Sequence, residues 1–331
     1  MTKRVYTQAG IMGTAALVAT MFLTAAPADA ASARAHVDDD VLFVQGSGGD
    51  DRLALRLAAG AANTLQVDFD DDGTAEASFD RSTFTKVVVM LLGGDDQFRV
   101  DQVNGAFADE AITVDGGGGD DVMNGGDGAE VFLGRGGSDF VDGNRGIDTA
   151  FFHGGNDTFR WDPGDGSDVV EGGGGTDTLD FNGAPGPENM SLSAVGSRSL
   201  FFREQGNIRM DMNDVELLDL TALGGIDTFT LDDMRGTGFV RADVDLSVGG
   251  NPDGAADVVT VKGTEQTDDV NIGTAAGGIV VDGLQTQLRI TGSEAIDHLE
   301  VDTLAGDDSV DVDDAVATLI DVDVDLGTDE T

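Results

Sequence analysis

GGGGDDVMN (116–124), GGDGAEVFL (125–133), GRGGSDFVD (134–142), GNRGIDTAF (143–151) and FHGGNDTFR (152–160) are successive nine-residue blocks, and PGDGSDVVE (163–171) and GGGGTDTLD (172–180) continue them after two inserted residues. We call residues 116–180 the nonad array. The fourth residue of every block is glycine, and the sixth is acidic: Asp121, Glu130, Asp139, Asp148, Asp157, Asp168 and Asp177. The eighth is apolar: Met123, Phe132, Val141, Ala150, Phe159, Val170 and Leu179. With 49 glycines in 331 residues, seven glycines in one phase are not a composition effect.

This period predicts an all-β fold in which the chain coils as a parallel β-roll. The glycine-rich half of a block can turn with positive φ, and the other half is a short strand with one inward side chain. Two blocks make one coil, so blocks i and i+2 stack. The stacked acidic pairs are then Asp121 with Asp139, Glu130 with Asp148, Asp139 with Asp157, Asp148 with Asp168, and Asp157 with Asp177. In this scheme Asp139 has two acidic neighbours and Asp121 has one.

The stacking also predicts a ligand. Carboxylates on strands about 4.8 Å apart repel each other, and a hard divalent cation between them removes the repulsion. Calcium tolerates a flexible cage made only of oxygen atoms, including turn carbonyls, better than magnesium does. The alternative is a glycine-rich acidic linker, but a linker does not need an apolar residue in every block.

The blocks match G-G-x-G-x-D-x-U-x, and the chain therefore resembles the repeats-in-toxin (hemolysin-type) calcium-binding family. The resemblance implies a β-roll with Ca²⁺ in its glycine-rich turns. The implied ligands are the seven acidic residues and the turn glycines Gly116, Gly118, Gly134, Gly136, Gly172 and Gly174. Arg135, Asn144 and His153 replace the second glycine of middle blocks, so we expect roughly three to five bound ions.

Residues 1–30 are predicted to be a Sec-type signal peptide. Lys3 and Arg4 precede an uncharged stretch, and Ala28-Asp29-Ala30 fits cleavage after Ala30. Cleavage after Ala33 and an uncleaved anchor are the alternatives. The mature protein is expected to be secreted without a membrane span. Many repeats-in-toxin proteins instead carry a C-terminal signal for a type I channel, and this chain departs from that pattern.

The composition narrows the possible partners. The net charge is −45 and only 18 residues are Lys or Arg, which excludes a phosphate-binding nucleic-acid protein. The chain has no cysteine, so metal ions would take the place that disulfides have in other secreted folds.

The flanks of the array carry diluted copies of the same turn. VLFVQGSGGDDRLAL (41–55) resembles VVTVKGTEQTDDVNI (258–272), which indicates an internal duplication. We divide the mature chain into a β segment (31–110), the array region (111–183) and a β-rich repeat segment (184–331). They form either one interrupted solenoid or three β segments.

No established catalytic motif is visible. The sequence lacks H-E-x-x-H and G-x-S-x-G, and its histidines, His36, His153 and His298, lie far apart. We therefore expect a non-enzymatic calcium-binding protein with a structural or adhesive role, whose candidate partners are cell-surface or extracellular matrix components. The alternative is a polysaccharide-active enzyme with a cryptic site in residues 184–331, where His298 could pair with Glu300. Trp161 is expected to pack over the two-residue insertion instead of stacking on a sugar.

Overall fold

The computed structural model describes residues 33–327, and the predicted signal peptide lies outside them. These described residues belong to one compact unit. The described chain forms strands and three short 3-10 helices, Arg81–Thr83, Gln205–Asn207 and Val316–Thr318. The strands are β1 (Arg34–Asp38), β2 (Val41–Gln45), β3 (Arg52–Ala58), β4 (Ala61–Asp68), β5 (Ala77–Asp80), β6 (Lys86–Gly93), β7 (Gln97–Asp101), β8 (Ala111–Gly118), β9 (Val122–Asn124), β10 (Glu130–Gly136), β11 (Phe140–Asp142), β12 (Thr149–Gly155), β13 (Thr158–Trp161), β14 (Val169–Gly175), β15 (Thr178–Asn182), β16 (Asn189–Val195), β17 (Arg198–Arg203), β18 (Ile208–Asn213), β19 (Leu217–Thr221), β20 (Thr228–Leu231), β21 (Arg241–Asp245), β22 (Val258–Lys262), β23 (Asp269–Ala275), β24 (Gly278–Asp282), β25 (Gln287–Thr291), β26 (His298–Asp302), β27 (Ser309–Val312) and β28 (Asp321–Asp325).

The strands form two sheets of 14 strands each. The order in the first sheet is β1-β2-β6-β8-β10-β12-β14-β18-β17-β16-β20-β22-β26-β28. The order in the second sheet is β27-β23-β24-β25-β21-β19-β15-β13-β11-β9-β7-β3-β4-β5. Among the described residues no helix is long and apolar enough to cross a bilayer.

The array region coils as the period predicts. From β8 to β15 the chain alternates between the two sheets, and each strand pairs in parallel with the strand one coil away. Val141, for example, lies beside Met123 on one side and Phe159 on the other. The strands of the first sheet are longer than expected, since β10 continues through the turn glycines to Gly136. The predicted all-β, solenoid-like fold is confirmed.

The same parallel ladders continue beyond the array. In the first sheet β6 pairs with β8, and in the second sheet β15 pairs with β19. The boundaries expected at 110/111 and 183/184 therefore lie inside continuous sheets. Antiparallel meanders are inserted at β3–β5, β16–β18 and β23–β25. The described chain is the single interrupted solenoid of the two alternatives.

The core lies between the two sheets and contains the eighth residue of every block. All seven of these side chains are at most 1% exposed, and they belong to one apolar cluster with the flanking strands. Trp161 is also buried, and its ring stacks on Phe181 with centroids 4.2 Å apart. Its indole N–H donates to the Gly166 carbonyl at 2.8 Å. Trp161 is thus a core residue, which agrees with the packing interpretation.

The suspected duplication has a structural counterpart. The Ser47 backbone N–H donates to Asp51 Oδ2 at 2.5 Å, and the Thr264 N–H donates to Asp268 Oδ2 at 2.6 Å. In both turns the hydroxyl also donates to Oδ1 of the same aspartate. Both turns connect a strand of the first sheet to an antiparallel meander in the second. The two copies occupy equivalent places near opposite ends of the sheets.

Candidate metal sites

A row of carboxylates follows the edge at which the chain passes into the second sheet. We call it the first row. Each member directly precedes a strand of that sheet, and in every member after the first a carboxylate oxygen accepts the backbone N–H of the preceding member at 2.7–2.9 Å. In order along the solenoid the members are Asp51, Asp96, Asp121, Asp139, Asp157, Asp177 and Glu216.

The opposite edge carries a second row of Glu130, Asp148 and Asp168. Asp148 accepts the Glu130 N–H at 2.7 Å, and Asp168 accepts the Asp148 N–H at 2.8 Å. The two rows together contain all five pairs that the block spacing predicts. One expectation was wrong: Asp121 has two acidic neighbours, because it also accepts the Asp96 N–H at 2.9 Å.

The first glycine of a block is explained by the acidic side chain of the same block. A Cβ on Gly116 would lie 2.3 Å from Asp121 Oδ2, and one on Gly134 would lie 2.3 Å from Asp139 Oδ2. Gly172 has the same relation to Asp177, at 2.4 Å. In these blocks the carboxylate folds back over its own turn, and a side chain at the first position would collide with it; Phe152 and Pro163 occupy this position in two other blocks.

This relation reveals a sequence signal that the nonapeptide pattern misses. The spacing glycine-x₄-acid occurs nine times outside the array, and three of these pairs make the same kind of turn: Gly46 and Asp51, Gly183 and Glu188, and Gly263 and Asp268. In all three cases a Cβ on the glycine would lie 2.5–2.6 Å from the carboxylate. A search for this spacing would have identified several of the flanking acidic turns.

The third-position glycines play a different part. Gly118 and Gly136 belong to strands, and their carbonyls accept the N–H groups of Gly94 and Gly119 at 2.9 Å. Gly174 pairs with Gly154 in the same ladder. Each accepting carbonyl keeps a second lone pair, so these oxygens can still contribute to a cation site.

The array carboxylates are buried and incompletely hydrogen-bonded. All seven residues are at most 2% exposed. A second carboxylate oxygen has no hydrogen-bond partner among the described residues in Asp121, Glu130, Asp139, Asp148, Asp157 and Asp177. An unsatisfied buried oxygen costs roughly 1–3 kcal/mol, and more when it is charged. The rows therefore need a proton or a cation.

Burial raises the pKa of every one of these carboxyl groups, and in most of them neighbouring carboxylates raise it further. The pKa reaches about 7 for Asp121, Glu130, Asp157 and Asp168, about 6 for Asp139 and about 9 for Asp148. For Asp177 the pKa is also raised. Without a counter-charge the rows would be partly protonated at neutral pH.

Basic side chains do not provide that counter-charge. In the described part of the chain, the arginines near the array pair with other acids: Arg135 with Asp115 at 2.9 Å and Arg160 with Asp180 at 2.7 Å. Arg135 and His153 keep the left-handed backbone of the glycine they replace, with φ of 78° and 75°. The replaced positions thus preserve the turn and leave the rows without a basic partner. Hard oxygen ligands and negative charge, without a basic partner among the described residues, could hold a metal ion.

A separate acidic group lies in the loop after β4. Oxygens of Asp68, Asp70 and Glu76 lie within 4.8 Å of one another and could hold a metal ion. This group lies outside the nonapeptide pattern, although residues 68–73 read D-x-D-x-D-G, the start of a calcium-loop pattern. Asp68 already has a partner, because it pairs with Arg56 at 2.7 Å.

The histidines do not form a common site. His298 lies half-exposed on β26, and its Nδ1 is 3.4 Å from Asp321 Oδ2 on the neighbouring strand. Glu300, the partner expected from the sequence, accepts instead from the Thr260 hydroxyl at 3.1 Å. His36 stacks on Phe43, and the exposed His153 contacts its own turn.

Comparisons with known proteins add little. No protein-family model matches the chain, and no curated protein matches it. Among solved structures, the chain is similar to the extracellular lipase LipA from Serratia marcescens, with 11% sequence identity and a TM-score of 0.22. The match covers 65% of this chain and 43% of that one, so it spans less than half of the lipase.

Proposed function

We propose that this chain is a secreted, non-enzymatic calcium-binding protein whose solenoid becomes stable when calcium binds outside the cytoplasm. The observation that carries the proposal is the pair of buried carboxylate rows, which have unpartnered oxygens and no basic counter-charge. Binding of a cation to the folded state only would contribute directly to folding free energy.

The residues of the chain have distinct parts in this function. The six partly unsatisfied carboxylates of the array would hold the ions, together with Asp168, and turn carbonyls would add oxygens. In five of the seven blocks a first-position glycine lets the carboxylate approach its turn. The bound calcium would supply the positive charge that the rows lack.

The biological use that we propose is structural or adhesive, with cell-surface or extracellular matrix components as partners. An acidic solenoid suits such a role because its exposed faces carry charge, while calcium bound in the rows would stiffen its edges. The N-terminal signal-like segment supports export. In calcium at extracellular concentration the protein would be folded, since extracellular calcium modules bind with dissociation constants on the order of 0.1–1 mM.

The number of bound ions tests the proposal. We expect Asp121→Asn and Asp139→Asn each to lose up to two ions, because both residues have two acidic neighbours in the first row. Equilibrium dialysis with radioactive calcium measures the stoichiometry. Asp323→Asn, at an exposed strand position, is the matched control and should lose none. If wild-type protein binds no calcium, the proposal is wrong. A smaller loss at Asp121 than at Asp139 would show that Asp96 is not part of a site.

The polysaccharide-active alternative has its own test. We expect no turnover of uronate polymers, esters or casein in the presence of calcium, because the half-exposed His298 lies beside Asp321 while Glu300 accepts from the Thr260 hydroxyl. The measurement is product release by the full chain, with His298→Ala as the paired variant. Turnover that disappears in His298→Ala would establish the enzyme instead.

A further inference from the structure

A third row of acidic residues lies in the C-terminal half, outside the nonad array. We call it the C-terminal row. Its members directly precede β16, β20, β22 and β26, all in the first sheet. Asp227 accepts the Glu188 N–H at 2.8 Å, Asp257 accepts the Asp227 N–H at 2.8 Å, and Asp297 accepts the Asp257 N–H at 3.0 Å. The hydrogen-bond pattern is the one found in the array rows.

The turn before Asp227 has the backbone of an array turn. Gly225 stands two residues before Asp227, as Gly137 stands before Asp139. The φ angles of the two glycines are 135° and 132°. A Cβ on Gly225 would lie 2.5 Å from the carbonyl carbon of Gly186 in the preceding coil, so the turns are stacked in contact. This part of the chain therefore repeats the array geometry without its nine-residue period.

Asp227 is buried and incompletely satisfied. Its residue is 3% exposed, and its Oδ2 has no hydrogen-bond partner among residues 33–327. Its Oδ1 is occupied by the Glu188 N–H. The free oxygen therefore needs a proton or a cation at a place that the nonapeptide pattern does not mark.

The surroundings of Asp227 are strongly negative. Asp253 accepts the Gly225 N–H at 3.0 Å, and Glu294 accepts the Gly254 N–H at 2.6 Å, so both acids join the stacked turns. At the other end of the row Arg203 pairs with Glu188 and balances that charge. In the described part of the chain, no salt bridge reaches Asp227, Asp253 or Asp257.

We propose that Asp227 and Asp257, its neighbour in the next coil, form a second calcium site together with nearby turn carbonyls, outside the nonad array. Carboxylates from two stacked turns and nearby turn carbonyls offer the hard oxygen ligands that calcium takes. Arg203 pairs with Glu188, one coil away, so the negative charge around Asp227 is not neutralised by that arginine and can attract a cation. Its carboxylates lie in residues 184–331, and none of them belongs to the array.

The test uses Asp227→Asn in the full chain. Asparagine has the same size and keeps the oxygen that accepts the Glu188 N–H, while it removes the negative charge. We expect the variant to lose at least one bound calcium ion and to be no less stable than wild type without calcium. Hydrogen exchange measures the local effect: calcium should slow exchange of residues 222–228 about tenfold or more in wild type but not in the variant.

Two further variants complete the test. Asp233→Asn, a partly exposed residue of the same segment that pairs with Arg235, should retain calcium-dependent protection of residues 222–228. Asp139→Asn should also retain it while losing protection around residue 139. If Asp227→Asn retains both the ion count and the local protection, the second site does not exist. If Asp227→Asn fails to fold, Asp257→Asn decides, and unchanged protection in that variant would overturn the proposal.

These outcomes distinguish calcium binding in the array from calcium binding at Asp227. Calcium-dependent protection confined to the array would support the proposed function and refute the second site. Protection confined to residues 222–228 would support the second site and refute the array as a calcium-binding unit.

Discussion

Removal of calcium is expected to lower the melting temperature of the full chain by on the order of 10 °C at pH 8. Roughly three to five ions at ten to a hundred times their dissociation constant contribute about 4–13 kcal/mol in total, and a chain of this size loses about 1–2 °C per kcal/mol. Differential scanning calorimetry of metal-free and calcium-loaded protein measures the shift. An unchanged melting temperature would contradict calcium binding to the folded state.

The stability of the metal-free protein is expected to fall as pH rises, and this can be measured without calcium. Burial raises the pKa of Asp121 to about 7 and of Asp148 to about 9, so between about pH 4 and pH 9 the folded state binds more protons than the unfolded state. The stability contributed by these groups is therefore complete below pH 4 and is lost as pH rises. Metal-free protein should melt higher at pH 5.5 than at pH 8, and calcium should reduce or reverse that difference.

Repulsion between surface charges in a chain of net charge −45 also lowers stability as pH rises, so a control is needed. In about 0.5 M sodium chloride exposed charges are screened while buried rows are screened much less, and the pH slope should persist. Asp148→Asn should reduce the slope, because it removes the carboxyl group with the highest pKa of the array. A slope that vanishes in salt would assign the effect to the surface instead of the rows.

Replacement of a fourth-position glycine is expected to have the largest effect of any single substitution in the array. In Gly137→Ala the new Cβ would lie 2.0 Å from the Gly119 carbonyl oxygen, at a φ of 132°. The backbone strain alone costs about 1–3 kcal/mol, and the collision forces two coils apart. We expect a loss of at least about 3 kcal/mol in urea unfolding with calcium present, together with fewer bound ions.

Gly136→Ala is the matched control for this substitution. Its Cβ would meet no atom closer than 3.9 Å, at the Gly154 carbonyl, and its backbone is not left-handed. Both variants remove a glycine from the same turn, so the effect on the unfolded chain is the same. Gly136→Ala should change stability by less than about 1 kcal/mol. Equal losses in the two variants would mean that the coils are not stacked in this register.

Much of the fold could be predicted from the array because its period is regular. Equal blocks place an inward residue and an acid at the same point of every coil, and therefore Phe132 and Val141 are buried and Asp139 has Asp121 and Asp157 as neighbours. The calcium assignment remains a proposal, since periodic carboxylates and glycine turns indicate the kind of ligand but the bound ion has to be measured.

The extent of the rows could not be predicted from the period. Successive members of the first row are 18 or 20 residues apart in the array, but 45 residues separate Asp51 from Asp96 and 39 separate Asp177 from Glu216. In the C-terminal row the separations are 39, 30 and 40 residues. Inserted meanders lengthen individual coils by different amounts, so the repeat disappears from the sequence.

The sequence by itself therefore determined a coiled all-β architecture, the inward residues and the five stacked acidic pairs of the array. Only the tertiary structure decided that the coil includes both flanks, that Asp121 has Asp96 as a second neighbour and that Asp227 lies in a row of its own. The physical reason is that hydrogen bonds between strands require adjacency in space and not equal lengths of chain. A coil can therefore contain an inserted meander while its acidic residue still lies beside the acidic residues of the neighbouring coils.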